Sequence, residues 1–266
     1  SSATQDIAID AYRIEAVAID LQGNMATTYQ LGYRIALLVA GGGALFIADY
    51  WNWSVAYFSM AACMMVGVIT TLVMREPDVK DKPRSTSPHT GKLTQQIAEW
   101  LYRSVVAPFR DFFQRNGRMA VVILLLIGLY RLPDLVMSIM ANPFYLDLGF
   151  SKTDIAQIVK VYGFIMTVLG AGMGGIAVVR FGIAVPLLVG AILTSGSNLL
   201  FAWLAVKGAD TTYLIMTISA DNLSTGIAGS VFIAYLSSLT NSAYTATQYA
   251  LFSSLMTLPG KFISGF

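Results

Sequence analysis

Charged side chains are scarce in this chain, making up 12% of its 266 residues, about half the share found in an ordinary soluble domain. Hydrophobic residues make up 56%, so too few charges remain to coat the surface of a soluble protein. One cysteine and one histidine exclude a disulfide scaffold and leave no cluster of transition-metal ligands. These shortages leave a membrane protein as the class to consider.

Motifs for nucleotide or covalent chemistry are also missing. The sequence contains no G-x-x-x-x-G-K-[ST] loop and nothing resembling a catalytic triad. Residues 170–175 fit G-x-G-x-x-G, but they lie inside an apolar run with no preceding strand and no acid about 20 residues later. Close helix packing through Gly170 and Gly174 explains this run better, and we expect 41–43 to pack likewise. We predict a protein that is not an enzyme and has no cofactor, metal or nucleic-acid partner.

Long apolar runs dominate what the sequence does contain. A helix that crosses the bilayer needs about 20 such residues, and these runs are too long and too uniform for barrel strands. The short breaks between them predict antiparallel neighbours. We predict an all-α polytopic membrane protein with the end of one span at 1–12 and further spans at 28–48, 53–74, 119–145, 153–179, 183–206, 212–238 and 243–266.

A hydrophilic segment at 75–118 separates the apolar blocks 1–74 and 119–266. It carries nine basic residues against five acidic ones, so the positive-inside rule predicts that this linker is cytoplasmic. Apolar residues at helical spacing within 93–113 predict an amphipathic helix on the inner membrane face. The alternative is an ordinary linker helix in solution.

Charged residues inside the predicted spans mark candidate pathway positions, because a charge at mid-bilayer is costly. Asp6, Asp10 and Arg13 share one helical face through their i, i+4, i+7 spacing, with Gln5 beside them. Arg34 lies as far beyond the following turn as Asp6 lies before it, which predicts an Asp6–Arg34 ion pair at matched depth. A purely structural pair is the alternative.

The second apolar block supplies the other candidates. Arg131 and Asp134 are spaced i, i+3 and can pair locally. Lys160 and Asp221 lie about equally far from the outer ends of two helices that both run inward, and Asn222 adds an amide beside Asp221. A buried charge that exchanges partners is what proton coupling requires. All ten residues together form the predicted substrate and proton pathway.

The carboxylates differ in the charges around them. If Asp6 pairs with Arg34, Asp10 keeps no such partner and becomes the first candidate for the transferable proton, because burial and a neighbouring carboxylate both favour its protonated form. Asp221 is the second candidate. The alternative for Asp10 is a pair with Arg13 at i+3, which acts as a gate at the cytoplasmic mouth.

Several segments resemble a known family, the AmpG-type muropeptide permeases of the major facilitator superfamily. The two apolar blocks with a basic linker resemble that superfamily's architecture, and GIAVVRFG at 175–182 resembles its short G-x-x-x-D-R-x-G loop, with valine at the acidic position. The segments that resemble the AmpG-type family are SATQDIAIDAYR at 2–13, LGYR at 31–34 followed by the glycines at 41–43, VAPFRDFF at 106–113 and SAYTATQYAL at 242–251.

The resemblance implies a major facilitator-type bundle that runs from about helix four to helix eleven of the family, incomplete at both ends. It implies proton-coupled import of anhydro-muropeptides, a glycopeptide class, across the bacterial inner membrane for cell-wall recycling. Two alternatives stay open: an acetyl-CoA-type transporter, which shares the TQDI run at 4–7, and a non-transporting sensor or scaffold on the same fold. The oligomeric state stays open as well.

Overall fold

The computed structural model describes residues 2–18, 21–74, 99, 101–151 and 154–264. Within these ranges the ordered elements are all helices, joined by short turns. We number the α-helices in chain order, and π-helical stretches at Leu38–Gly43, Tyr102–Val106 and Ile155–Tyr162 continue directly into them. The helices are α1 Ser2–Glu15, α2 Gln22–Leu37, α3 Ala44–Tyr50, α4 Trp53–Val73, α5 Ala107–Asn116, α6 Met119–Tyr130, α7 Leu132–Asp147, α8 Gly163–Phe181, α9 Ala184–Lys207, α10 Thr211–Leu239 and α11 Thr245–Ser264.

Long, apolar helices confirm the predicted fold class, an all-α polytopic membrane bundle. In the described part of the chain, five helical runs are long and apolar enough to cross a membrane, as judged by length and composition. Their bounds lie close to the predicted spans. These runs are Gln22–Tyr50, Trp53–Val73, Met119–Asp147, Ile155–Phe181 and Ala184–Lys207.

Turn residues define where several helices begin and end. The Asn52 side chain accepts a hydrogen bond from the backbone N–H of Val55, at 2.9 Å, and so caps the start of α4. Asp210 does the same for α10 through the N–H of Thr212, at 2.7 Å. Gly182 follows the end of α8 with a φ of 72°, a left-handed conformation that glycine adopts without strain. These short turns make successive spans antiparallel, as predicted.

Helix α10 lies at the centre of the bundle, where α8, α9 and α2 pack around it. Small residues allow this close approach: a Cβ added at Gly170 would overlap the backbone carbonyl of Leu223, and one added at Gly226 would overlap the carbonyl of Thr167. Gly174 packs equally closely against α10. The predicted packing role of Gly170 and Gly174 is therefore confirmed.

The glycines at 41–43 do not share that role. A Cβ added at Gly41 would meet nothing within 4 Å, and one at Gly43 would meet the carbonyl oxygen of Leu38 in its own helix at 3.8 Å. The prediction of close packing at these two positions is wrong, because a small residue permits a helix contact without creating one. Both lie on a span whose described side chains are largely exposed.

Helix α5 and the π-helical stretch Tyr102–Val106 belong to the predicted linker; residues 75–98 and 100 lie outside the described residues. Phe112 is buried against Phe252 of α11, with ring centroids 5.1 Å apart. Gln248, which is 0% exposed, donates to Asp111 at 2.9 Å and to the carbonyl of Pro108 at 3.0 Å. The helix is amphipathic as predicted, and it packs its apolar face on α11.

Replacement of Gly170 by alanine tests the α8–α10 contact. The added methyl group meets the Leu223 backbone, which cannot move aside as a side chain can, so we expect about 1–3 kcal/mol of destabilisation. Thermal unfolding of the purified protein in detergent measures this. Gly172→Ala is the matched control, since a Cβ there meets nothing within 4 Å. Equal melting temperatures for the two variants would contradict the packing described here.

Candidate functional site

A cavity of about 540 Å³ lies between α2 and the helices of the second apolar block. Its walls bring together six of the predicted pathway residues, which come from four separate stretches of sequence. The aromatic side chains of Tyr145 and Phe201 line its walls as well, with ring centroids 6.3 Å apart. The six predicted residues in the cavity wall are Arg34, Arg131, Asp134, Lys160, Asp221 and Asn222.

Arg131 is held at the break between α6 and α7. Its Nε lies 3.5 Å from a carboxylate oxygen of Asp134, which confirms the predicted local pair. Gly229 of α10 leaves room for the guanidinium: a Cβ added there would lie 3.0 Å from Nη1 of Arg131 and 3.4 Å from Nε2 of Gln30. Arg131 thus reaches across to α2, one helical turn from Arg34.

Asp221 and Asn222 are positioned by hydrogen bonds from neighbouring helices. The Ser197 hydroxyl of α9 donates to the Asp221 carboxylate at 3.3 Å. The Thr167 hydroxyl of α8 donates to the Asn222 amide oxygen at 2.9 Å, and the Asn222 amide donates to the Ile218 carbonyl at 3.1 Å. Asp221 and Lys160 face the same cavity, as their matched depth predicted.

The predicted ion pair between Asp6 and Arg34 is not among the ion pairs that the described residues form. The Asp6 side chain is exposed, whereas Arg34 lines the cavity. Equal distance from a turn brings two residues together only if their helices pack on each other, and here α1 packs on α11 whereas α2 packs on α8 and α10. Arg34 therefore enters the cavity without an acidic partner from the described residues.

Arg13 forms a second polar site, separate from the cavity. It is 3% exposed, and its guanidinium lies between the rings of Tyr29 and Tyr249, at 5.3 and 5.1 Å from the ring centroids. Its Nη1 donates to the hydroxyl of Ser237 at 3.1 Å. Asp10 lies 3.6 Å from its Nε, so the alternative Asp10–Arg13 pair is confirmed. Four helices, α1, α2, α10 and α11, meet at this arginine.

Contacts near the linker join α2 to α8 at that end of the bundle. The Thr27 hydroxyl of α2 donates to the carbonyl of Ala171 in α8 at 2.9 Å. Gly23 packs so closely on α8 that an added Cβ would lie 2.7 Å from the Cβ of Val178. Gly175, which belongs to the GIAVVRFG run, packs against α2 in the same way. These contacts and the Arg13 site lie on the linker side of the cavity.

Two predicted residues, Gln5 and Asp6, lie outside both sites, on exposed positions of α1. Sequence reasoning in turn missed Tyr29, Tyr249 and Ser237, which surround Arg13. No spacing rule connects these residues, because each comes from a different helix. The one available signal was the resemblance of the segment SAYTATQYAL at 242–251 to the AmpG-type family. This segment includes Tyr249, but the resemblance gives that residue no role.

Loss of the Arg13 contacts should open the linker side of the cavity. With Cys63, the only cysteine of the chain, replaced by alanine, Ser138→Cys in the cavity wall reports access of an impermeant maleimide from either face of sealed vesicles. We expect Arg13→Gln to raise labelling from the linker side about three- to tenfold, because two cation–π contacts disappear. Arg118→Gln, which removes an exposed arginine on the same side, is the control. Identical labelling in the two variants would argue against closure by Arg13.

Comparison with known proteins agrees with this architecture. Residues 2–263 match the Major Facilitator Superfamily. The chain is 35% identical over 97% of its length to "Putative transporter AmpG 4" of Rickettsia felis, and it covers 60% of that protein. It is 36% identical over 96% of its length to "Anhydromuropeptide permease" of Escherichia coli K12, and it covers 49% of that relative.

The chain thus spans about half to three fifths of the length of the curated relatives it matches. An "Uncharacterized protein" of Haemophilus influenzae is also similar, at 33% identity over 98% of the chain. The family match covers nearly all of the chain, and the apolar helices and charged cavity suit a multi-pass membrane transporter better than an enzyme. The chain belongs to the Major Facilitator Superfamily.

Proposed function

We propose that this chain is the transport core of a secondary importer for anhydro-muropeptides. The observation that carries the proposal is the charged cavity between α2 and the second apolar block, in a chain whose relatives include an "Anhydromuropeptide permease". Within the proposal, 1–74 and 119–266 supply the two sides of the cavity and 75–118 is the linker between them. The ligand is a small glycopeptide.

Cavity size and chemistry support such a ligand. A volume of about 540 Å³ falls within the range of small-molecule sites. Charged side chains and the amides of Asn142 and Asn222 line the wall, together with the largely buried Tyr145 and Phe201. Charges and amides suit the peptide part of such a ligand. An acetyl-CoA-type transporter remains the second candidate, favoured by the TQDI run at 4–7.

We further propose that the linker lies in the cytoplasm and that the membrane is the bacterial inner membrane. The excess of basic residues in 75–118 supports this orientation. The Arg13 site and the α2–α8 contacts join helices on the linker side of the cavity. Contacts at that place would restrict access from the cytoplasm, which suits the uptake step of an importer.

Proton coupling is proposed to run through Asp221 rather than Asp10. Asp10 is paired with Arg13, and Asp134 is paired with Arg131. The Asp221 carboxylate instead has a hydrogen bond from the neutral hydroxyl of Ser197 and forms no ion pair with a described residue. A carboxylate in an apolar bundle without a paired cation is the one whose protonated form is most favoured.

Uptake by the full-length protein tests the proposed function. Vesicles that contain the purified protein, with an inward proton gradient imposed, should accumulate a radiolabelled disaccharide anhydro-muropeptide above its external concentration. Vesicles without protein are the control, and labelled acetyl-CoA is the competing substrate. Accumulation of acetyl-CoA in place of the glycopeptide would favour the second candidate. No flux of either compound would favour the non-transporting alternative.

Asp221→Asn separates coupling from binding. We expect this variant to lose uphill accumulation by about tenfold or more while it retains downhill exchange, because an amide fills the same space but carries no transferable proton. Asp147→Asn, at an exposed position at the end of α7, should leave both rates unchanged. Gradient-driven accumulation at the normal level in Asp221→Asn would remove this residue from the proton path.

A further inference from the structure

We propose that Arg34, beside Arg131 at the inner end of the cavity, binds one carboxylate group of the transported molecule, and that Lys160 attracts that group on its way in. This inference rests on the proposed function, since it names the part of the substrate that the cavity recognises. It does not depend on the proton path. It concerns the guanidinium of Arg34, which has no acidic partner among the described residues of the protein.

The charges in the cavity wall do not cancel. Three cations, Arg34, Arg131 and Lys160, face two carboxylates, Asp134 and Asp221. Arg131 and Asp134 are already paired at 3.5 Å. Neither Arg34 nor Lys160 forms an ion pair with any residue that the structure describes. The cavity therefore carries one unbalanced positive charge when Asp221 is ionised and two when Asp221 is protonated.

An unpaired guanidinium in the middle of an apolar bundle is costly unless a counter-charge arrives. Arg34 lies about as far from the linker-side end of α2 as Arg131 lies from the start of α6, so both guanidiniums lie near mid-bundle depth. Gln30 is one turn below Arg34 on the same face of α2, and its amide approaches Gly229 next to Nη1 of Arg131. Donors from α2 and from the α6–α7 break thus converge on one place.

A guanidinium presents its N–H groups in a planar fork that matches both oxygens of a carboxylate. A phosphate group offers similar oxygens but carries about two negative charges at neutral pH. The carboxylates of Asp134 and Asp221 in the same cavity repel a second negative charge. Arg34 is the guanidinium of the wall that is not already paired, so a singly charged carboxylate matches it better than a doubly charged phosphate.

The positions of the other wall residues give the ligand a direction. Lys160 lies in the π-helical stretch Ile155–Tyr162, near the end of its span remote from the linker. Tyr145 and Phe201 also lie toward that end of α7 and α9. A ligand with its carboxylate at Arg34 then extends its uncharged sugar toward the end of the cavity that is remote from the linker. The geometry points to a ligand that enters with its acidic peptide first.

Binding to the purified full-length protein, measured by isothermal titration calorimetry and thermal shift, tests the inference. The probes are an anhydro-muropeptide and the same compound with its carboxylates amidated, and N-acetyl-alanyl-alanine and its C-terminal amide. Inorganic phosphate is the competing anion. We expect each free acid to bind about 10- to 100-fold more tightly than its amide, the range for a charge-assisted hydrogen-bonded pair.

Variants then assign that preference to Arg34. In Arg34→Gln the preference for acid over amide should fall close to one, and Arg34→Lys should keep part of it because the charge remains but the fork is lost. Lys207→Gln, which removes an exposed cation at the end of α9 outside the cavity wall, should keep the full preference. The amide comparison in the unmodified protein needs no variant, so a poorly folded Arg34→Gln leaves the inference testable.

Three results would overturn the inference. These are equal or unmeasurable binding of acid and amide by the unmodified protein, an unchanged preference in well-folded Arg34→Gln, and stronger competition by phosphate than by N-acetyl-alanyl-alanine. Failure of the proposed function looks different: no glycopeptide is bound or accumulated, yet N-acetyl-alanyl-alanine is still preferred over its amide through Arg34. In that case the site binds the carboxylate of another substrate.

Discussion

Charge inside an apolar bundle has to find a partner, and most features of this protein follow from that constraint. A buried ion is stable only when an opposite charge, hydrogen bonds or aromatic faces replace the water it has lost. Arg131 meets this requirement with Asp134, and Arg13 meets it with Asp10, Ser237 and two tyrosine rings. Arg34 and Lys160 line the cavity without an ion pair to any described residue, and of these two Arg34 is the less exposed.

Small residues determine where that cavity lies. Gly170 and Gly226 allow α8 and α10 to pack backbone against backbone, and Gly23 and Gly175 bring α2 onto the linker end of α8. Close contacts between these helices therefore occur at mid-helix as well as near the linker. Space remains around Arg34 and Asp221, where the cavity lies.

Membership of the Major Facilitator Superfamily gives this geometry a functional frame. A cavity near the middle of the bundle, bounded by two helical blocks, is where secondary transporters place their substrate sites. The Arg13 site joins α1 and α2 to α10 and α11 and so holds the two blocks together at one end. Such a contact among residues of opposite blocks is one that a rocking motion has to break and remake.

Most predictions that depended on local spacing agree with the structure, the packing role of Gly41 and Gly43 being the exception. The apolar runs gave the spans, and the i, i+3 spacings gave the Arg131–Asp134 and Asp10–Arg13 pairs. Gly170 and Gly174 were recognised as packing positions because both lie on one face of an apolar helix. Spacing along one helix is a short-range property, and the 3.6-residue repeat converts it directly into geometry.

Tertiary structure alone decided which residues from different helices meet. The sequence by itself determined where the long apolar helices lie along the chain and which charges pair within one helix. It left open which helices pack on one another: α1 packs on α11 and α2 on α8 and α10, so Arg34 lines the cavity and Asp6 is exposed. The same packing brings Tyr29 and Tyr249 around Arg13. Each helix packs against several neighbours at once, so no single segment of the sequence encodes the arrangement.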